Sequence, residues 1–153
     1  MECSRLMAER GSSLAVGTEP IITDAYFLPS NKVIHVTGPH VTDGNVTDGH
    51  KMQLQRTYVN VLEAAARQHI RSVAFCGIST GLFGFPKAQA AAIATRTVVG
   101  WLKQNPNVFD AIVFDTFSDS EEVTYKRLLC TMGSGCPDAS VSSSECQQAM
   151  NLR

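Results

Sequence analysis

Two periods of apolar spacing run along this chain. In residues 51–69, Tyr58, Val59, Leu62, Ala65 and Ala66 recur at helical spacing with Glu63 and Arg67 on the opposite side, which predicts an amphipathic helix. At the start, "ECSRLMAER" puts Cys3, Leu6, Met7 and Arg10 on one face, and Gly11-Ser12-Ser13 ends the pattern. A third stripe follows Pro86: Ala88, Ala91, Ala92, Thr95, Val99 and Leu102, closed by Asn105-Pro106. Ser118 with Glu121 three positions later is a capping-box pattern, predicting a last helix through Leu129. Between these lie strand signals: a short one at 21–23, the alternating β-branched run "KVIHVTG" at 32–38, and the apolar runs "IRSVAFC" at 70–76 and "AIVFD" at 111–115. The last two are predicted to be strands covered on both faces. "PHVTDGNVTDGH", residues 39–50, repeats Val-Thr-Asp-Gly and reads as a turn-rich loop.

This order of strands and helices predicts an α/β layer fold with parallel strands and helices on the sheet faces. In such sheets ligands bind where strand carboxyl ends meet the following loops, which directs attention to residues 76–86. The length, 153 residues, fits one domain. Lys and Arg total 13 against 14 Asp and Glu, a net charge of -1, so no basic field argues for nucleic acid. "AAAIATRTVVGWL" is broken by Arg96 and falls short of a membrane span. Residues 1–15 lack the apolar core of a secretory signal, and the expected location is cytoplasmic, with the nucleus as the alternative. The five cysteines, at 3, 76, 130, 136 and 146, contain no C-x-x-C pair and are expected to be free thiols. The spacing of Cys130, Cys136 and Cys146 matches no common zinc pattern. Beyond Cys130 the composition turns to Ser and Gly, which divides the chain into a domain at 1–129 and a tail at 130–153 expected to be disordered.

The loop "CGISTGLFGFPK" holds Gly77, Gly81 and Gly84 in a G-x3-G-x2-G spacing that is neither a dinucleotide fingerprint nor a P-loop. Glycines let backbone N–H groups approach an anion, Ser79 and Thr80 add hydroxyls, and a helix beginning near Pro86 points its positive end at the loop. Phe83, Phe85 and Phe117 are candidate walls for a ribose and a base. A tight strand-to-helix connection with core phenylalanines explains the same residues, and periodicity does not decide between the two.

"GISTGLFGFPKAQAAAIATRTV" closely resembles the second ligand loop and following helix of macro domains, which are ADP-ribose-binding modules. "ECSRLMAERG" and "VGTEPIITDAYFLPSNKVIHVTGPHV" are similar to the zinc-containing protein-ADP-ribose hydrolase subfamily, and "FDAIVFDTFSDSEEVTYKRLL" resembles that family's final strand and helix. The likeness covers roughly residues 3–129. It implies a three-layer α/β/α fold with a mixed sheet, shortened at the amino end to about four strands and four helices. It also implies that Ile78, Ser79, Thr80, Gly81, Leu82 and Phe83 hold the pyrophosphate and distal ribose of ADP-ribose, with Phe117 near the adenine. Where the family usually has Asn, this chain has Asp115.

The family's first ligand loop, with the Cys/His/Cys metal set of the zinc subfamily, has no counterpart in these 153 residues. The expectations that follow are no catalytic residue and no metal ligand within this chain, with zinc expected only where the missing loop is present. His35 and His40 are then packing or surface residues. A central strand of the family's sheet, between those resembling "KVIHVT" and "IRSVAF", is missing as well, so the sheet is expected to be weakened or rearranged, with an exposed edge open to self-association. The function implied is that of an ADP-ribose-binding macro domain of the hydrolase type, which removes mono-ADP-ribose from modified proteins. The alternatives are a non-catalytic ADP-ribose-binding module and an inactive fragment. The partners the resemblance implies are ADP-ribose or a mono-ADP-ribosylated protein, and neither nucleic acid nor membrane is expected.

Overall fold

The computed structural model describes residues 2–9, 11 and 14–133. Four helices and four strands follow in the order α1 (Glu2–Glu9), β1 (Ile21–Asp24), β2 (Lys32–His35), α2 (Asp48–Arg67), β3 (Ser72–Phe75), α3 (Lys87–Gln104), β4 (Ala111–Phe114) and α4 (Asp119–Thr131), with a short 3-10 turn at Thr42–Gly44. The fold is α/β, as the strand and helix periods require.

The strands form two separate pairs. β1 and β2 are antiparallel, with Ile21 opposite His35 and Asp24 opposite Lys32. β3 and β4 are parallel, with Ser72 opposite Ala111 and Phe75 opposite Phe114. No strand hydrogen bonds join β2 to β3 among the described residues, so the expected rearrangement takes the form of a split into two half-sheets. Ile34 of β2 and Val36 pack against the core that holds Val73 and Phe75 of β3, and loop contacts add to this. Val41 N–H donates to the Phe83 carbonyl at 2.7 Å, and the Gly38-Pro39 segment packs on Ile78 and Ser79.

The core lies between α2, α3 and the inner face of β3–β4. Leu54, Tyr58, Leu62 and Ala65 of α2 meet Ala90, Ala94 and Val98 of α3, all buried, and the small alanine side chains let the two helices lie close. Val73 and Phe75 point into this cluster, and Phe114 links Phe75 to Tyr125 of α4 through stacked rings at 6.0 and 5.0 Å. The opposite sheet face is open: Ser72 and Ala74, and Ala111 and Val113, are exposed. Strands covered on both faces were the expectation for 70–76 and 111–115. Ala74 and Val113 read as core residues in an apolar run, but the described helices bury only the alternate positions.

Other boundaries move for local reasons. α2 starts within the segment read as a loop, because Thr47 and His50 form a capping box: His50 N–H donates to Thr47 Oγ1 at 3.2 Å and Thr47 N–H donates to His50 Nδ1 at 3.3 Å. On α3 the buried face is Ala90, Ala91, Ala94, Thr95, Val98 and Val99, so the stripe read from sequence is rotated and Ala88 is exposed. α4 begins at the Ser118–Glu121 capping box as expected and runs two residues past Leu129. Beyond Gly133 the expected tail lies outside the described residues. Cys76 is a free, exposed thiol, whereas Cys130 is disulfide-bonded, a departure from the expectation of free thiols throughout. No described helix is long and apolar enough to cross a membrane.

Tyr58 is fully enclosed, and burial pushes its phenol far above the ordinary range. Its hydroxyl approaches the Ile78 backbone and Tyr125 but completes a hydrogen bond with neither. An unsatisfied buried hydroxyl costs about 1–3 kcal/mol, so its deletion recovers part of that. Tyr58→Phe is therefore expected to leave thermal stability unchanged or raised. A fall of more than about 1 kcal/mol in a denaturant titration would show that the hydroxyl is satisfied after all.

Candidate functional site

At the carboxyl ends of β3 and β4 a cleft of about 510 Å³ opens between the loop after β3, the loop after β4 and the amino ends of α3 and α4. Cys76, Gly77, Thr80 and Gly81 form one wall, Asp115, Thr116 and Phe117 another, and Lys87, Ala88 and Glu121 line the helix ends. Parallel pairing makes this possible, since it brings both strand ends to the same side. Asp115 N–H donates to the Phe75 carbonyl at 2.8 Å, extending the ladder to the point where the two loops part.

The loop after β3 is held by its own backbone. Gly84 N–H donates to the Gly81 carbonyl at 3.0 Å, and Phe85 N–H to the Ser79 carbonyl at 2.9 Å. Ser79 adopts a positive φ of 65°. Gly84, at φ 67°, has its Cα so close to the preceding strap that a Cβ there would stand 2.7 Å from the Val41 carbonyl oxygen, which leaves glycine as the fitting residue. At Gly77 a Cβ would meet Thr80 Oγ1 at 2.5 Å, so the floor of the cleft also depends on a missing side chain. These bonds leave the N–H groups of Gly81, Leu82 and Phe83 without a backbone acceptor among the described residues.

The two helix ends differ. α4 is closed: Ser118 Oγ accepts from Glu121 N–H, and Glu121 Oε2 accepts from the N–H groups of Phe117 at 3.2 Å and Ser118 at 3.1 Å. α3 starts after Pro86 with no side-chain cap, so its first N–H groups stay open beside Lys87 and Ala88. An uncapped helix start next to a loop with spare amides suits an anion. Lys87 Nζ lies 3.2 Å from Glu121 Oε1. Lys87 first, then the Ser118 hydroxyl and the Phe117 amide, hold the Glu121 carboxyl below the usual carboxylate range, against the opposing effect of burial.

Not all the sequence-predicted residues meet in this cleft. Thr80, Gly81 and Phe117 line it, and the Phe117 ring is fully exposed at its edge. Ile78 is buried in the core cluster. Ser79 turns its hydroxyl toward Gly38, where it is buried without a hydrogen-bond partner among the described residues, and Thr80 Oγ1 donates to the Gly77 carbonyl at 2.9 Å. The two hydroxyls are thus not free donors to a ligand, because loop closure has used one and enclosed the other. Leu82 is fully exposed, and Phe83 packs edge-on against His40 at 5.4 Å. Phe85, read as a candidate wall, is a core residue with 1% exposure, because the helix start at Pro86 turns its ring inward. His35 is satisfied by Thr23 Oγ1 at 3.0 Å. Lys87 and Glu121 escaped notice as site residues. Their only sequence signal was a basic residue after a helix-starting proline and an acid already assigned to a cap.

Residues 1–94 match the family described as Macro domain, and the chain belongs to that family. It is 35% identical over 127 residues to a protein-ADP-ribose hydrolase of Staphylococcus aureus (strain MRSA252), covering 83% of this chain and 47% of that protein. It is 39% identical to a protein-ADP-ribose hydrolase of Treponema medium, covering 83% and 48%. The chain therefore spans about half the length of these relatives. Among solved structures, a mutant of the Oceanobacillus iheyensis macrodomain with ADPR superposes with a TM-score of 0.78 at 31% identity, over 88% of this chain and 70% of that one. The Trypanosoma brucei macrodomain in complex with ADP-ribose gives a TM-score of 0.64 at 30% identity, over 72% and 44%.

The capping carboxylate makes a prediction about acid. Glu121 has a folded-state pKa below its unfolded value of 4.5, so its stabilisation is fully present above that value and is lost as pH falls through the depressed folded value. Glu121→Gln should melt at a lower temperature than wild type at pH 7, and the gap should close as pH falls through the depressed folded value. A constant gap from pH 7 to 3 in thermal melts would show that the charge plays no part.

Proposed function

We propose that this chain binds ADP-ribose in the cleft between the β3–α3 and β4–α4 loops. Residues Ile78 to Phe83 contribute through their backbone, with the N–H groups of Gly81, Leu82 and Phe83 and of the start of α3 donating to the diphosphate. The Phe117 ring borders the base. The single observation that carries the reading is the coincidence, at one pair of parallel strand ends, of unbonded amides, an uncapped helix start and an exposed aromatic ring. Support also comes from the O. iheyensis and T. brucei macrodomain structures, which contain ADPR and ADP-ribose.

The finer assignment, to the zinc-containing subfamily of protein-ADP-ribose hydrolases, is supported by "ECSRLMAERG", "TDAYFLP" and "VIHVTGP", while the names of the two bacterial relatives support the hydrolase part alone. Among the described residues no three His, Cys, Asp or Glu side chains gather where they could hold a metal. Our reading therefore gives these residues the binding of the nucleotide and routes no bond cleavage through a metal. The substrate class is mono-ADP-ribosylated protein. Release of ADP-ribose from such a protein separates the two functional readings: turnover by this chain assigns a hydrolase, and binding without turnover assigns a non-catalytic reader.

Calorimetric titration with ADP-ribose tests the binding directly, and a one-to-one isotherm is expected. A flat trace from a sample with a cooperative melt would contradict it. Base–aromatic stacking is worth about 1–3 kcal/mol, so Phe117→Ala should weaken binding roughly ten-fold without lowering thermal stability. Equal affinity in the variant would remove Phe117 from the site.

A further inference from the structure

Among the described residues lining the cleft, Lys87 alone is cationic, while Asp115 and Glu121 are acidic. Counting these ionised groups, the lining carries one positive and two negative charges, a sum of -1, and without Lys87 the sum is -2. A ligand with a diphosphate enters such a cleft against Asp115 and Glu121. Glu121 is already engaged by two backbone amides and the Ser118 hydroxyl, which leaves its second oxygen for Lys87. The lysine is thereby held at the junction of two helix ends, on the first residue of the uncapped α3. One ion pair does not exhaust an ammonium, which has three donors. Its side chain is 56% exposed, so it is open to a ligand from the cleft side.

We propose that Lys87 is the residue that makes this cleft select phosphate-bearing nucleotides over uncharged nucleosides, with Glu121 acting as the positioning residue that holds the ammonium in place. The inference rests on the nucleotide-binding reading above and goes beyond it, because the loop amides alone would leave the ionised lining repulsive. Lys87 offsets one of the two acids and adds a charge-assisted donor beside the open N–H groups of α3. Its half-exposed setting keeps the effect moderate, on the order of ten-fold in affinity, since solvent screens a charge so placed. The same exposure makes the selectivity sensitive to salt.

The test compares wild type with Lys87→Met and Lys87→Arg, titrated with ADP-ribose and, by chemical-shift titration, with adenosine, each at low and high salt. Lys87→Met should lose roughly ten-fold in ADP-ribose affinity at low salt and little at high salt, while adenosine binding is unchanged. Lys87→Arg should restore most of the loss, because the charge matters more than the shape. Equal loss for ADP-ribose and adenosine would reduce Lys87 to a structural role, and an unchanged ADP-ribose affinity would remove it from the site; either result overturns the proposal while leaving nucleotide binding intact. A wild-type protein that melts cooperatively and binds neither compound overturns the nucleotide reading itself, and this proposal with it.

Discussion

The parallel pairing of two four-residue strands governs the geometry of the cleft at one end of this molecule. β3 and β4 each contribute little length, but their register puts Phe75 opposite Phe114, and the bond from Asp115 to the Phe75 carbonyl carries the pairing one step further. Two loops then leave the sheet side by side, and α3 and α4 start within reach of each other. An antiparallel pairing would send these loops to opposite ends, and no cleft would form between them. The strands hold this register because Val73 and Phe75 are buried under α2 and α3 and because Phe114 stacks on both Phe75 and Tyr125. A slip by one residue would turn these side chains to the open face.

The cleft itself is made by what is absent. A side chain at Gly77 would collide with Thr80, and one at Gly84 would collide with the strap at Val41. The amides left over from the loop's internal bonds and the uncapped start of α3 supply the positive character, while Asp115 and Glu121 oppose it. Such a site is balanced, not strongly cationic. Its positive character comes from one lysine and from backbone donors, in keeping with a whole-chain charge of only -1.

Helix type and position were legible in the sequence because each helix carries its own signal: the Ser118–Glu121 cap, Pro86, and the apolar stripe around Tyr58 and Leu62. The Thr47–His50 cap was less legible, since histidine is not the usual partner in that motif and Val-Thr-Asp-Gly looks like turn chemistry. The strands were found but their surroundings were not. Ala74 and Val113 are apolar in composition yet exposed, and no local pattern distinguishes a face covered by helices from one left open. At the cleft, the glycine spacing pointed to a loop that lines one wall through Gly77, Thr80 and Gly81. The orientation of Ser79 and the burial of Phe85 depend on Gly38 and on the start of α3, and tertiary contacts of that kind leave no trace in spacing. The pairing of Lys87 with Glu121 joins residues 34 positions apart (121 − 87), beyond the reach of any helical or strand period.

Backbone amide chemical shifts, followed as ADP-ribose is added to the isotopically labelled protein, test the central claim most directly. Saturable shifts are expected at Gly77, Thr80, Gly81, Lys87 and Phe117, with Arg56 and Asn60 of α2, which lie away from the cleft, unmoved. Shifts confined to other surfaces, or none at all in a spectrum with the dispersion of a folded protein, would contradict it.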